Sequence, residues 1–481
     1  MPGASPEPEK PKRAGAVVAI IASVAIFIVG VGVVAWATLG RDDGPSHPDD
    51  WDPRVDEIAQ AVQTERGVLF EHPVHVDFLS EEEFKADVTA SEEELTDEDR
   101  EELDQAESLF RALGLVEGEF DLFEEQNRLT GEGTLAYYDP ETERVRVKGT
   151  EMTPALRVTL AHELTHALQD QFVDIDEVRE DLSVDDATRY RAVVEGDASN
   201  VEDAYAADKL TAEEYQQYVD ESSDTSDVDI DEVPPALVAF FQAPYAIGPA
   251  FDQIVKAKGG STALNALLRE PPTTDRQLLD PRAYFDRTSA TDVDTPPVPE
   301  GAEAIDDGEF GALEWYVVMA SRIDPVQALD VIDNWAGDSY ASYEQDGRVC
   351  VSSRYAALDQ AGAAEVEAAF DAWIANGMAD SARLTAIDDL TFELVACDPG
   401  TEVSTPSAEV GVEDLLGLPA MRLGLMADAM QSLDDDLELS WCAADGVVHV
   451  VPRERLTATE LSAEDQAAIA GVMASCGVQP G

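Results

Sequence analysis

An α+β protein, mainly helical with a small mixed sheet, is what the spacing of apolar residues predicts for this chain of 481 residues. Three observations lead there. Several stretches place apolar side chains three and four residues apart behind capping signals, as amphipathic helices do. Two short alternating segments flank a turn sequence, as in a β-hairpin. A hydrophobic content of 44% over this length fills cores in more than one folded unit.

The elements follow in chain order. Residues 1–13 form a short tail carrying Lys10, Lys12 and Arg13, and residues 14–39 are free of charge. That run exceeds the roughly 20 residues that cross a bilayer, so a single transmembrane helix is expected. Basic residues before it and Asp42, Asp43, Asp49 and Asp50 after it place the N-terminus in the cytoplasm and the remainder of the chain outside, anchored to the cell membrane. A cleaved signal peptide, with Ala35-Trp36-Ala37 as its cleavage site, is the competing reading; it too exports the bulk of the chain. Residues 40–52 read as a linker.

Beyond the linker a helix is expected around Val55 to Val62 and a strand at Val74 to Phe78, followed by an acidic helix from about Glu92 to Leu113 and a short one over Leu122 to Asn127. Thr134 to Tyr138 and Arg144 to Val147 form a hairpin around Asp139-Pro140-Glu141-Thr142. Thr153 then caps a helix opening with Pro154 and running to about Phe172. Val184 to Ala207 is the next helix, and Val238 to Lys256, Ala263 to Leu268 and Phe310 to Met319 are helical as well. Loops are marked by Pro271 to Thr274 and by Pro296 to Pro299, the second a candidate boundary. Later strands are expected at Val349 to Ser352, Phe392 to Cys397 and Val447 to Val451, and helices at Val366 to Ala375 and Glu464 to Ala474.

With 31 basic against 101 acidic residues the formal charge is −70. Nucleic acid is excluded as a partner, because binding phosphates needs a basic footprint. The excess acid reads as a solvating surface, since no loop with calcium-ligand spacing accompanies clusters such as Asp181 to Asp186. All four cysteines lie in the last third of an exported chain, so two disulfides are expected, Cys350 with Cys397 and Cys442 with Cys476.

The chemistry-bearing segment is His162-Glu163-Leu164-Thr165-His166. Two histidines four residues apart on a helix share one face and can bind the same zinc ion, while Leu160, Leu164 and Leu168 turn the other way. Glu163 then projects beside the metal, where a carboxylate can accept a proton from water. A catalytic zinc takes a third protein ligand, and Glu195 on the following helix is the candidate, with Gly196 permitting close helix approach and Asp197 and Glu202 as alternatives.

These residues resemble the gluzincin clan of zinc metallopeptidases, in which HExxH is followed on a later helix by a ligand glutamate. Glu195-Gly196-Asp197-Ala198 is similar to the Glu-Gly-x-Ala segment of its aminopeptidase branch. Tyr137 to Pro140, Ala161 to Gln171 and Val194 to Ala198 together resemble bacterial membrane-anchored proteins of this type. The likeness is specific from about Thr134 to Tyr205 and weaker through Ala243 to Tyr245 and Pro271 to Pro281. Thermolysin-like members orient the first histidine with an Asp four residues after the ligand Glu; here that position is Ser199.

The resemblance implies a zincin-like metallopeptidase domain over residues 53–295, with the Leu135 to Tyr138 strand as an edge that pairs with extended substrate. An α+β region over 300–400 and a small C-terminal α+β region over 401–481 follow. The implied activity is hydrolysis of peptide or protein substrates, with zinc on His162, His166 and Glu195, Glu163 as general base, and Tyr245, Tyr205 or Tyr138 as oxyanion donor, Tyr245 preferred. Two other expectations stand beside it: a zinc-stabilised cell-surface scaffold without turnover, and a hydrolase of non-peptide envelope bonds.

Overall fold

The hairpin turn closes because the Asp139 carboxylate accepts hydrogen bonds from the Glu141 amide at 3.1 Å and the Thr142 hydroxyl at 2.6 Å, while Glu143 takes a left-handed φ of 48°. The computed structural model in which this is seen describes residues 46–478 apart from 93–94, 176–177, 179–181, 183, 226–232, 403–409 and 459. The expected membrane span at residues 14–39 lies outside the described residues, among which no helix is long and apolar enough to cross a membrane. Helix at 58% and strand at 13% make this a mixed α+β fold.

Strands β1 (His75–Leu79), β2 (Ala136–Asp139) and β3 (Arg144–Lys148) form a three-stranded sheet in the order β1-β3-β2, with β1 parallel and β2 antiparallel to β3. β2 is thus an edge strand. Val145 and Val147 of β3 point into a core with Ala136 and Tyr138 of β2 and with Leu160, Leu164 and Leu168 of the motif helix, Pro154–Val173. That helix starts where expected, with the Thr153 hydroxyl accepting the Leu156 amide at 3.2 Å and proline in its first turn.

The glutamate-bearing helix, Val184–Lys209, packs against the motif helix on one side and against the long helix, Pro235–Leu267, on the other. The long helix is broken at Gly260, where φ is 66°. The Ala263 to Leu268 helix expected separately is therefore the segment after that break.

After the Pro296 to Pro299 loop comes a five-stranded antiparallel sheet in the order β4-β5-β6-β8-β7: β4 (Glu303–Gly308), β5 (Trp335–Gln345), β6 (Arg348–Ala357), β7 (Ala382–Ala386) and β8 (Thr391–Cys397). Cys350 and Cys397 sit opposite one another on β6 and β8 and form one disulfide; Cys442 and Cys476 form the other. The second apolar core joins Leu109, Phe110, Val193, Leu237, Phe251 and Ile254 to Trp315, Trp335, Trp373 and Leu423, so it runs through both sides of that loop.

One expected strand is corrected. Val447 to Val451 reads as β, yet Val447 through Val450 are the last turn of a helix, Leu437–Val450. Ser440, Trp441, Ala443, Ala444, Val447 and Val448 are buried at three- and four-residue intervals, and Asp436 caps the start through the Leu439 amide at 3.0 Å. The apolar face and cap over four turns outweigh the β preference of a short valine run. His449, placed beside a strand by the sequence, is helical and contacts Asp330.

Candidate metal centre

The motif helix turns His162 and His166 to the side opposite its leucines, and the crossing of the glutamate helix carries Glu195 up to them. That crossing depends on the absence of side chains. A Cβ built on Gly196 would stand 2.4 Å from the Gly248 carbonyl carbon, and one on Gly248 only 1.9 Å from the Ala192 oxygen. With glycine on both sides the two helices approach closely enough for Glu195 to meet the motif helix.

His162 Nε2 lies 3.1 Å and His166 Nε2 3.2 Å from the same carboxylate oxygen, Glu195 Oε2. One donor atom from each of the three residues falls within 4.8 Å of the others. Nitrogen and oxygen ligands about 2.0–2.2 Å from a tetrahedral ion stand roughly 3.3–3.5 Å apart, so this donor set suits zinc in kind, and its two histidine–glutamate distances of 3.1 and 3.2 Å are slightly shorter than that spacing. Each imidazole is held from behind: His162 Nδ1 meets Glu202 Oε2 at 2.9 Å, and His166 Nδ1 meets Gln169 Oε1 at 3.0 Å.

Glu163 points to the sheet, where its Oε2 accepts the Tyr138 amide of β2 at 2.8 Å. In the antiparallel ladder Leu135 bonds to Lys148 across to β3, so alternate residues Ala136 and Tyr138 turn their N–H and C=O groups away from β3; with the Tyr138 N–H taken by Glu163, Ala136 and the Tyr138 carbonyl remain on that edge. The carboxylate therefore lies beside the edge at which an extended peptide could pair.

Burial works against charge on both histidines, but the carboxylates of Glu195 and Glu202 outweigh it and raise His162 well above its usual range. Burial opposes and the Glu195 charge raises His166 likewise. Glu195 is held well below the usual carboxylate range, burial being overcome by His166, His162 and Arg191. Glu163 is pushed up, chiefly by burial, with the histidine charges opposing. A carboxyl group so raised is suited to taking and giving a proton.

Of the three tyrosines considered, Tyr245 is at the site: its ring lies 6.2 Å from that of His162, and its hydroxyl is 3.4 Å from an Arg191 Nη atom. The Tyr138 hydroxyl is turned away and donates to Asp170 at 2.7 Å, and Tyr205 belongs to the core under the sheet. Asp197 lies behind the site, accepting from Arg66 Nε at 2.7 Å and Gln169 Nε2 at 2.9 Å. Glu202 holds the outer nitrogen of His162, a role the sequence reading did not give it. Its signal is there: seven residues after Glu195, it lies on the same helix face.

Next to this network Asp252 is fully buried, and neither carboxylate oxygen meets a hydrogen-bond donor among the described residues. Burial pushes it well above the usual range, Asp197 adding to the shift and Arg66 opposing it. A carboxyl raised on folding contributes stability that is complete below the unfolded value of about 4 and is lost as pH rises through the folded value. Asp252→Asn cannot ionise. Its unfolding free energy relative to the parent protein should therefore shift in the variant's favour between about pH 4 and pH 7. Urea titrations at both values test this, and a difference independent of pH would contradict it.

Comparison with protein-family models, with curated proteins and with solved structures finds no match.

Proposed function

We propose that this chain is a membrane-anchored, extracytoplasmic zinc peptidase of gluzincin type, with a zincin-like domain built on the three-stranded sheet and the motif helix. The observation that carries the reading is the convergence of His162 Nε2 and His166 Nε2 on one oxygen of Glu195, with the Glu163 carboxylate beside the β2 edge. Bound by those three residues, zinc supplies a Lewis acid that polarises the scissile carbonyl and brings the pKa of a water towards about 7.

The rest falls to the protein. The open edge of β2 aligns an extended substrate by main-chain pairing, which brings the scissile carbonyl over the site. Glu163 accepts the proton of the attacking water as the new C–O bond forms. The Tyr245 hydroxyl, kept protonated by burial, donates to the oxyanion. Collapse breaks the C–N bond, and Glu163 returns its proton to the leaving amine.

Metal analysis of the full-length protein in detergent, coupled to digestion of an unbiased peptide library, tests this. About one zinc per chain is expected, together with cleavage that a chelator abolishes and a lower unfolding temperature after chelation. Zinc-dependent stability without cleavage would overturn the peptidase and leave the cell-surface scaffold. Absence of bound zinc would overturn both.

A further inference from the structure

A histidine binds a metal through one ring nitrogen while the other keeps its proton, and a fixed partner for that outer N–H holds the tautomer and the ring orientation. For His162 that partner is a carboxylate on the neighbouring helix, Glu202. For His166 it is Gln169, one turn along the motif helix itself, and an amide can point either end at the ring. Which end it offers is decided elsewhere. Gln169 Nε2 donates to the Val194 carbonyl at 3.0 Å and to Asp197 Oδ2 at 2.9 Å, which leaves Oε1 facing His166 Nδ1. Asp197 Oδ2 in turn accepts Arg66 Nε at 2.7 Å, from a helix, Asp56–Arg66, that contributes no other side chain to this network. Gln169, Asp197 and Arg66 are all buried, so water offers no competing partner.

Taking His162, His166 and Glu195 as the zinc ligands, we propose that Gln169 and Arg66 are positioning residues of the metal centre. Arg66 fixes Asp197, Asp197 fixes the orientation of the Gln169 amide, and the amide holds His166 in the tautomer that binds metal. The neutral amide also has an electrostatic logic. Glu163, Glu195 and Glu202 already surround the site, and a fourth carboxylate against His166 would add uncompensated negative charge; the carboxylate that links Gln169 to Arg66, Asp197, is paired with a guanidinium.

The test is zinc affinity, read by competition with a chromophoric chelator on the full-length protein, together with the visible spectrum of the cobalt-substituted form. Gln169→Met, which keeps the shape and removes the acceptor, should weaken zinc binding about 10–100-fold and alter the cobalt spectrum. Arg66→Met should weaken it in the parent protein but have no further effect in the Gln169→Met background, because its influence passes through the amide. A purely structural loss would act equally in both backgrounds. Should Arg66→Met fail to fold, Arg66→Lys takes its place in the same cycle. Parent-level zinc affinity in Gln169→Met, or an Arg66 effect of equal size in both backgrounds, overturns the proposal. No zinc uptake by the parent protein would instead overturn the ligand assignment on which it rests.

Discussion

Replacing Glu163 by Gln is expected to lower peptide cleavage by about 10²–10⁴-fold while zinc content and unfolding temperature stay at parental values. The amide oxygen of Gln can still accept the Tyr138 N–H, so the contact that fixes this side chain against β2 survives. The three proposed metal ligands are untouched. Only the ability to take a proton is lost. Burial also pushes the Glu163 carboxyl upward, so a neutral replacement relieves a cost and gives no reason for the fold to weaken. Steady-state rates on one peptide from the library digest, beside elemental analysis of the same samples, decide it. Undiminished cleavage by Glu163→Gln would remove the carboxylate from the mechanism.

The second large effect is expected at the helix crossing. Gly248→Val places a Cβ 1.9 Å from the Ala192 carbonyl oxygen and 3.0 Å from Gly196 Cα, and these backbone atoms can yield only if a whole helix moves. Overpacking of this kind costs about 3 kcal/mol or more, the upper end of its range. The helix that must move carries Glu195, so metal affinity should fall together with stability. Gly424→Ala is the control. It lies in the helix Val412–Ser432, where an added Cβ meets nothing within 4 Å, and it should be neutral or stabilising by up to about 1 kcal/mol. Denaturant unfolding and chelator competition on both variants measure the contrast; equal stability of Gly248→Val and the parent protein would show that the helices do not need their close approach.

The motif helix and the site's three donors were legible because their signals are local. Thr153 and Pro154 announce the helix, the four-residue spacing puts two scarce histidines on one face, and the apolar pattern around Val194, Ala198 and Val201 gives Glu195 its helix. What lay out of reach depends on partners distant in sequence. Arg66 meets Asp197 across 131 residues, and no pattern around either residue points to the other.

Strand β5 was missed because WAGDSYASYEQ is poor in β-branched residues. It is a strand because it lies between β4 and β6, with nine of its eleven residues buried. Even its aspartate is inside. Asp338 accepts the Phe310 and Gly311 amides and the Trp335 indole N–H, and burial, opposed by these bonds, pushes its carboxyl up to about 6. Glu81–Val88 escaped notice because it is short and has a single buried residue, Phe84. The Val447 to Val451 run misled for the opposite reason: its local β preference is strong, and the helix beneath it reveals itself only over a longer window.

The apolar core that continues past the Pro296 to Pro299 loop makes the C-terminal part something other than a detachable appendage. The long helix that receives Gly196 on one side packs on another against Val412–Ser432, from the far end of the chain. A protein cut at that loop would not be a smaller version of the same fold; it would expose a greasy wall where a supporting buttress had been, and the scaffold behind Glu195 would lose its backing.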